Sequence, residues 1–302
     1  MINKWLSHLA AFFLYLLSLL PLAVLYLISD FLFLVLFHGI KYRRHVVLQN
    51  MQHSFPERSL EELKALEKEF YQYLCDLIVE IIKMFSASEA FIRQRYSFSN
   101  TELLRRFEQE NQSFLFAVGH YGNWEWSCVV IPTVTDAQPL VIYKPMNNKV
   151  FEYYFDRART KSGSLTVEMK NTMRKMAELR KHLTVTVFAA DQTPGSAASD
   201  VFEWVNFLNQ PTAFFLGVEK VAKSTGYPVI FCDVTRPKRG YYHCDFKLIT
   251  DNPKATAPLE ITRAHVKLLE NRINEKPPYW LWSHKRWKLN KFLQNNQNTT
   301  SL

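Results

Sequence analysis

Apolar and polar positions follow two different periods along most of the chain, and together they predict an α/β domain. Ser59 and Glu62 form a capping box at the start of a long amphipathic helix. Further helical periodicity continues the pattern, so the predicted helices cover residues 59–85, 100–110, 147–161, 171–182 and 258–275. Apolar runs predict buried strands over residues 114–119, 139–143, 184–190 and 228–234, and the alternation over 241–249 predicts an edge strand. Strands separated by helices favour a mainly parallel, mixed sheet flanked by helices on both faces.

The first 45 residues have a different pattern. Residues 9–28 are almost wholly apolar, and residues 31–37 are apolar again after Asp30. About 20 such residues suffice to cross a bilayer, and no small-residue cleavage site indicates a removable signal peptide. Pro21 leaves two arrangements open, a single span or a kinked pair of helices lying partly in one leaflet. A buried core helix is the weaker alternative, because nothing polar marks a second face.

Charge around this segment predicts its orientation. Residues 41–45 are basic, against Lys4 alone before the apolar stretch, so the bulk of the protein is expected to face the cytoplasm. We therefore predict a membrane anchor over residues 1–45 and one soluble α/β domain over residues 46–302. The sequence shows neither an internal repeat nor a clear second domain.

The chain of 302 residues carries a net charge of +9, which suits anionic membranes, phosphorylated substrates or acidic proteins. Nucleic acid is a less favoured partner, because the basic residues are scattered and form no known binding motif. Four cysteines without metal-ligand spacing predict reduced, structural thiols: Cys75, Cys128, Cys232 and Cys244. No His stands three or four residues from His120, so a metal site is not predicted.

The segment His120-Tyr121-Gly122-Asn123-Trp124-Glu125 carries the clearest chemical signal. It follows the apolar run 114–119, and Gly119 and Gly122 permit a sharp strand-to-helix turn, with the helix beginning near Asn123. On a straight helix His120 and Glu125 would lie roughly 140° apart, so only such a turn brings them together. A His oriented by a carboxylate can take a proton from a hydroxyl near pH 7, which fits acyl transfer without a protein nucleophile or a cofactor. A structural His–Glu pair at a strand end is an equally ordinary reading of a motif this short.

Other polar residues follow a strand or form basic rows. Asp191-Gln192 ends the apolar run 184–190 and either lines the site or makes a turn. Because ligands of parallel sheets bind beyond the carboxyl ends of strands, both His120 and Asp191 stand where a site is expected. Basic residues are most often solvated but could together bind phosphate, and they form three rows: Arg157, Arg159 and Lys161; Arg236, Lys238 and Arg239; His284, Lys285, Arg286 and Lys288.

Taken as an ordered set, these motifs resemble the bacterial lipid A biosynthesis acyltransferases of the lauroyl/myristoyl type. The central block matches the family's HX4E motif. It is accompanied in the same order by further blocks: Asn50 with Phe55-Pro56, Asp191-Gln192, 214–217 and 279–288. The resemblance covers most of the chain, from the apolar N-terminus to the last helix. It implies a glycerolipid acyltransferase-like fold for the domain over residues 46–302.

The resemblance also implies an activity and a location. Such enzymes lie at the inner face of the bacterial inner membrane. They move a fatty acyl chain to a hydroxyl of an anionic lipid acceptor, a lipid A precursor. The acyl donor is usually acyl carrier protein or another acyl thioester. His120 would be the general base and Glu125 its orienting partner. Substrate-binding roles are expected for Asn123, Trp124, Arg159, Asp191 and Gln192.

Two departures from the family pattern bear on the acceptor. Lys144 and Lys285 stand where the family often has Arg, and Lys keeps the charge but loses bidentate geometry. The alternatives left open are therefore an O-acyltransferase acting on an aminolipid or another glycolipid, a lipid or thioester hydrolase, and a membrane-anchored scaffold with a decayed site.

Overall fold

The structure, a computed structural model, describes residues 4–194 and 202–290. Nine strands occur in this part of the chain: β1 (Tyr96–Ser99), β2 (Phe114–Val118), β3 (Gln138–Tyr143), β4 (Leu165–Glu168), β5 (Thr184–Ala189), β6 (Phe202–Phe207), β7 (Gln210–Phe215), β8 (Val229–Lys238) and β9 (Tyr241–Thr250). The α-helices of the same residues are α1 (Lys4–Ser18), α2 (Leu22–Phe33), α3 (Arg44–Ser54), α4 (Leu60–Met84), α5 (Glu89–Arg93), α6 (Glu102–Gln109), α7 (Trp124–Val130), α8 (Lys149–Thr160), α9 (Thr172–Glu178), α10 (Gly217–Thr225) and α11 (Glu260–Glu275).

The main sheet has seven strands in the order β1-β9-β8-β2-β5-β3-β4. Every neighbouring pair is parallel except β8 and β9, which are antiparallel. This arrangement confirms the predicted fold class, a mainly parallel mixed sheet flanked by helices. The capping box is also present, because the hydroxyl of Ser59 accepts from the backbone N–H of Glu62 while the Glu62 carboxylate accepts from the N–H of Ser59.

Both faces of the central strand β2 are covered. Phe114 and Phe116 pack into one apolar cluster, with Trp126 of α7, while Leu115 and Ala117 pack into another, with helices α10 and α11. A strand buried on both faces reads as a continuous apolar run rather than an alternating one. This burial explains why residues 114–118 could be identified from the sequence.

Strand β9 is not the edge strand that its alternation predicted. It lies between β8 and the short strand β1, whose four residues pair with Tyr242 to Asp245. The alternation arises because one face of β9 packs on the core and the other faces outward, which does not require an edge position. β1 and β4, the actual edges, have four residues each and escaped prediction.

A separate two-stranded hairpin, β6–β7, was also not predicted. Its turn residues Leu208 and Asn209 both have positive φ, 50° and 61°. Leucine is a poor residue for this conformation. Tertiary contacts hold the turn: the N–H of Leu208 donates to Glu270, and the amide of Asn209 donates to the carbonyl of Ser54.

The apolar N-terminus forms two helices that break at Pro21. α1 ends at Ser18, α2 begins at Leu22, and a π-helical turn continues α2 over Leu34–Gly39. Among the described residues, the one helical stretch long and apolar enough to cross a membrane is Leu22–Gly39, with mean hydropathy 2.0, and not the predicted 9–28. Proline lacks the N–H that a continuous helix would need. The end of the domain predicted over 46–302 lies partly outside the described residues.

Candidate active site

The site forms where two neighbouring parallel strands end. β2 pairs with β5 in parallel, with Val118 opposite Ala189, so the residues that follow both strands emerge at the same edge of the sheet. His120 follows β2 and Asp191 follows β5. Ligand sites of such sheets lie beyond the carboxyl ends of the strands. Two surface cavities in the described part of the chain, of about 580 and 520 Å³, lie at the opposite edge of the sheet, and neither His120 nor Asp191 lines them.

The carboxylate that contacts the His120 ring is that of Asp191. Its Oδ1 lies 2.6 Å from Nδ1 of His120, and its Oδ2 accepts from the backbone N–H of His120 at 2.8 Å. The indole N–H of Trp280 donates to the same Oδ2 at 2.9 Å. Asp191 is almost fully buried, while 16% of the His120 side chain remains exposed. The pair is thus anchored on one side and open on the other.

Contact between His120 and Asp191 shifts the pKa values of both side chains. Burial alone would lower the pKa of His120 and raise the pKa of Asp191, because it disfavours the charged forms. Their mutual charge and hydrogen bonds outweigh burial, so the pKa of Asp191 is held well below its usual range and the pKa of His120 is raised. An ionised Asp191 only accepts, which assigns the proton to Nδ1 and leaves a lone pair on Nε2.

Glu125, the predicted orienting partner of His120, contacts a different residue. Its carboxylate accepts two hydrogen bonds from Arg159, Nε to Oε2 and Nη2 to Oε1, both 2.7 Å. The helix α7 that begins after Asn123 directs Glu125 toward α8, which carries Arg159. Glu125 still lies close enough for its charge to raise the pKa of His120. The expected direct His120–Glu125 contact is therefore corrected to two pairs, His120–Asp191 and Glu125–Arg159.

Two glycines shape the turn between His120 and α7. A Cβ on Gly119 would lie 2.6 Å from Cδ1 of Leu269, so only glycine lets β2 end this close to α11. Gly122 has φ +62°, a left-handed conformation that favours glycine, and a Cβ there would lie 2.8 Å from Cγ1 of Val234. The predicted strand-to-helix turn is confirmed, with α7 beginning one residue after Asn123.

The side chain of Asn123 stabilises this turn. It is fully buried; its Oδ1 accepts from the N–H of Trp126 at 2.9 Å, which caps α7, and its amide donates to Glu80 at 2.7 Å. Neither polar group faces the site, although a substrate-binding role for Asn123 was expected. Trp124 lies edge-on against the His120 ring, with ring centroids 5.1 Å apart, and its own substrate-binding role stays a prediction.

Gln192 lies on the open side of the imidazole. Its side-chain nitrogen is 3.1 Å from Nε2 of His120, so the amide donates to the lone pair that a substrate hydroxyl would need. Gln192 therefore covers the ring nitrogen that Asp191 leaves free. Asp191 and Gln192, adjacent in sequence, contact the two nitrogens of the same ring.

The C-terminal segment 279–288 encloses the site from behind. Thr193, next to Gln192, donates its N–H to Nε2 of His284 at 3.1 Å and its hydroxyl to the carbonyl of Arg286 at 2.6 Å. The amide of Asn50 donates to the carbonyls of Trp282 and His284. The contact of Trp280 with Asp191 was not predicted from the sequence, although Trp280 lies in the block 279–288 that resembles the family. A buried indole N–H needs an acceptor, which is the signal that could have found it.

The basic rows divide in the structure. Arg159 is at the site, whereas Arg157 bonds Tyr153 and Lys161 bonds the carbonyls of Met84 and Ala87. Arg236 and Arg239 form ion pairs with Asp76 rather than a solvated face. In the third row, His284 accepts a hydrogen bond from Thr193, and Arg286 is buried against the ring of Phe214.

In the described part of the chain, His, Cys, Asp and Glu side chains form no cluster of three suited to a metal ion.

All four cysteines are buried and free. Burial raises the pKa of Cys128 to about 12, and the pKa of Cys75 also to about 12. A thiol with so high a pKa carries almost no thiolate near neutral pH. Cys75 and Cys128 are therefore packing groups, which agrees with their predicted structural role.

The chain is similar to known proteins over nearly its whole length. A family model described as bacterial lipid A biosynthesis acyltransferase matches residues 1–289. Over 260 residues the chain is 24% identical to the lipid A biosynthesis palmitoleoyltransferase of Escherichia coli (strain K12) and to the lipid A biosynthesis acyltransferase of Shigella flexneri. Each match covers 82% of this chain and 80% of the relative. The resemblance that the ordered motifs indicated is confirmed.

Proposed function

We infer that this chain, which belongs to the bacterial lipid A biosynthesis acyltransferase family, moves a fatty acyl group from a thioester donor to a hydroxyl of a lipid A precursor. The observation that carries this inference is the His120–Asp191 pair, with Nδ1 bound to a buried carboxylate and Nε2 facing the open side. An imidazole held in this way is a general base for a hydroxyl.

The reaction follows from the two ring nitrogens. Nε2 of His120 takes the proton of the acceptor hydroxyl as its oxygen attacks the thioester carbonyl. Asp191 stabilises the imidazolium that forms. When the tetrahedral intermediate collapses, the C–S bond breaks, and the imidazolium returns its proton to the departing thiolate. The products are an ester on the acceptor and a free thiol, so no other reactant is required.

Gln192 occupies the space near Nε2 before the acceptor binds. We propose that the arriving hydroxyl replaces the Gln192 amide on the imidazole, 3.1 Å from Nε2, and that the released amide then contacts the substrate. Trp124 supports this arrangement, because its ring lies edge-on against the His120 ring and restrains it. Gln192 keeps its predicted substrate-binding role in this proposal.

Glu125 and Arg159 act as a pair. Their bidentate contact is largely buried, with side-chain exposures of 10% and 19%, and such geometry fixes two planar groups relative to each other. We propose that Glu125 positions Arg159 beside the reacting centre, where the guanidinium meets an anionic group of the acceptor or donor. Removing either partner would leave an uncompensated charge next to His120.

The donor proposed is acyl carrier protein or another acyl thioester, and the basic surface supports an acidic donor protein. The net charge of +9 favours association with anionic partners, including an acidic lipid surface. The location proposed is the inner, cytoplasmic membrane of a bacterium, with the domain on the cytoplasmic side. The basic flank at residues 41–45 supports this orientation.

The contacts of α2 favour the kinked, in-plane arrangement over a single span. Leu25, Ser29 and Phe33 form its buried face, whereas Leu27 and Phe31 on the other side are 69% and 66% exposed. Asp30 pairs with Arg239 at 2.6 Å. A helix with one apolar face outward and ion pairs on the other suits the membrane interface.

The second candidate function is acylation of a different lipid acceptor, and Lys144 and Lys285 support it. Both are exposed and replace the Arg that the family often has. An ammonium recognises an anion as a point charge and lacks the fork that fits phosphate. An aminolipid or another glycolipid would be acylated by the same chemistry.

The deciding experiment compares purified protein with its His120→Ala variant in mixed micelles, using an acyl thioester and a lipid A precursor. We expect His120→Ala to lower kcat by roughly 10²–10⁴-fold, the usual contribution of a general base. His182→Ala, which changes an exposed histidine away from the site, is the matched control and should leave kcat unchanged.

Product analysis by mass spectrometry assigns the reaction class in the same assay. Ester formed only when the lipid A precursor is present supports transfer to that acceptor. Ester formed on an aminolipid or glycolipid instead supports the second candidate. Free fatty acid released equally with and without acceptor identifies a hydrolase, and full activity of His120→Ala contradicts the mechanism.

A further inference from the structure

The side chain of Glu80, near the C-terminal end of α4, connects the apolar N-terminus to the turn that holds the site. It is completely buried. Oε1 accepts from the hydroxyl of Tyr26 at 2.8 Å, and Oε2 accepts from the amide of Asn123 at 2.7 Å and from the hydroxyl of Tyr242 at 2.6 Å. The mechanism above does not use Glu80, yet a buried carboxylate needs such a set of donors.

One side of this network sets the start of α7. Asn123, held by Glu80, caps α7 through the N–H of Trp126. The indole N–H of Trp126 also donates to the backbone carbonyl of Glu80 at 2.9 Å. Because α7 has seven residues, its stability depends strongly on its cap. A displacement of the Glu80 carboxylate would therefore be passed to Glu125, which lies in the first turn.

The other side of the network belongs to α2. The Tyr26 hydroxyl fits against Gly240, where φ is +74° and a Cβ would lie 2.1 Å from that oxygen. Ser29 and Asp30 extend the attachment: the hydroxyl of Ser29 donates to Asp76 at 2.7 Å, and Asp30 pairs with Arg239. The polar groups of α2 are thus directed at α4 and at the turn between β8 and β9, and its exposed apolar face is left for the membrane.

Positive charge supports the carboxylate at the centre. Nη2 of Arg236 lies 2.6 Å from Asp76 and 3.9 Å from Glu80. Asp76 and Glu80 are four residues apart on α4 and lie on the same face. Arg236 therefore offsets two buried acids and holds the end of β8 against the helix. This arrangement makes α4 the rigid element between α2 and α7.

We propose that Glu80 is a positioning residue that transmits the docking of α2 to α7, so that the catalytic geometry is complete when the N-terminal segment is docked. The proposal rests on the function inferred above, in which Glu125 and Arg159 complete the site around His120. On this view the apolar N-terminus is a working part of the enzyme in addition to a membrane contact.

Tyr26→Phe tests the proposal in the full-length protein. It removes one hydroxyl and keeps the ring, so docking through Leu25 and Phe33 is retained. We expect kcat to fall about three- to tenfold, the size of one hydrogen bond, with KM for the thioester unchanged. Hydrogen exchange of the peptide covering residues 123–130 should accelerate by a similar factor. Tyr15→Phe, at a tyrosine of α1 that is 48% exposed, is the matched control and should change neither quantity.

Two substitutions of Glu80 separate positioning from a role of its charge. Glu80→Gln keeps an oxygen for Asn123 and Tyr242 and offers its amide to the Tyr26 hydroxyl, so kcat and exchange should stay within about twofold of the original protein. Glu80→Ala leaves these donors unpaired and should reduce kcat more than Tyr26→Phe does. A Gln variant as impaired as Ala would overturn the positioning role.

The two measurements also keep this inference apart from the proposed function. Unchanged exchange over residues 123–130 in Tyr26→Phe would overturn the coupling, and so would faster exchange with unaltered kcat. Full activity of His120→Ala would instead refute the catalytic role of the site. Exchange is measured without any reaction, so it still decides whether Tyr26 holds α7.

Discussion

His120 lies between two acids, and the contact geometry gives them different tasks. Asp191 holds Nδ1 and the backbone N–H of His120, while Glu125 is bound by Arg159. A carboxylate on Nδ1 selects the tautomer whose Nε2 can accept a proton. The carboxylate that the family motif brings closest in sequence is therefore not the one that contacts the His120 ring.

The charge of Asp191 should appear in the pH dependence of the reaction. The raised pKa of His120 means that the base is protonated at low pH and that kcat/KM rises as pH increases through that pKa. Asp191→Asn removes the charge that raises it, so we expect the acid limb of the kcat/KM profile to move to lower pH. The plateau should fall by roughly 10²–10⁴-fold, because the imidazolium loses its counter-charge.

The measurement is a kcat/KM profile between pH 5 and pH 9 for both proteins. Asp156→Asn, a carboxylate of α8 outside the site, serves as the control and should leave the acid limb in place. An acid limb that stays unmoved in Asp191→Asn would show that another group sets the pKa of the base.

At the scale of elements, the close approach of the β2 backbone to helix α11 determines the position of His120. β2 ends against α11 at Gly119, and the chain then turns through Gly122 into α7. The turn also pairs with the C-terminal segment, because the N–H of Gly122 donates to the carbonyl of Tyr279 and the N–H of Leu281 donates to the carbonyl of His120. Position and rigidity of His120 therefore come from three segments distant in sequence.

Gly119→Ala tests this packing. The new Cβ would lie 2.6 Å from Leu269, which is buried and has little room to move, so we expect a loss of about 1–3 kcal/mol in the free energy of unfolding. Urea titration followed by tryptophan fluorescence measures it. Gly39→Ala is the matched control, because a Cβ there meets nothing within 4 Å.

The cause can be verified by shortening the neighbour. In a Leu269→Val background the same Gly119→Ala change should be clearly less destabilising, since the conflicting methyl group is gone. An equal loss in both backgrounds would show that contact with the Leu269 side chain is not responsible.

At the scale of the whole molecule, the N-terminal helices are docked on the α/β domain. Lys83 of α4 donates to the carbonyls of Ser18 and Leu20, and Asn148 donates to the hydroxyl of Ser7. The predicted division at residue 45 is therefore bridged by many polar contacts. Exposed apolar side chains of α1 and α2 include Leu9, Phe12, Phe13, Leu27 and Phe31, which supports the membrane contact proposed for these helices.

The in-plane arrangement and the location proposed above predict that the N-terminus stays on the cytoplasmic side. All four native cysteines are buried, so a Lys4→Cys variant carries one accessible thiol. We expect a membrane-impermeant maleimide to label it after the cells are broken and not in cells with a permeabilised outer membrane only. Lys238→Cys, on the exposed end of β8, is the cytoplasmic control. Labelling of Lys4→Cys before lysis would establish a span instead.

The sequence by itself determined the elements with strong periodicity. Strands β2, β3, β5 and β8 are apolar because both faces are covered, and α4 carries its own capping box, so local pattern sufficed for them. It also placed His120 and Asp191 at the carboxyl ends of strands. The ordered motifs indicated the family, and the family model matches residues 1–289.

Tertiary structure alone decided which side chains meet. The adjacency of β2 and β5 joins His120 to Asp191, although 71 residues separate them in sequence. The direction of α7 turns Glu125 away from His120 and toward Arg159. The edge strands β1 and β4, and the hairpin turn at Leu208, rely on contacts with distant residues and have little local signal. Hydrogen bonds between distant segments produce no periodic pattern in the sequence. For this physical reason, these features could be identified only from the tertiary structure.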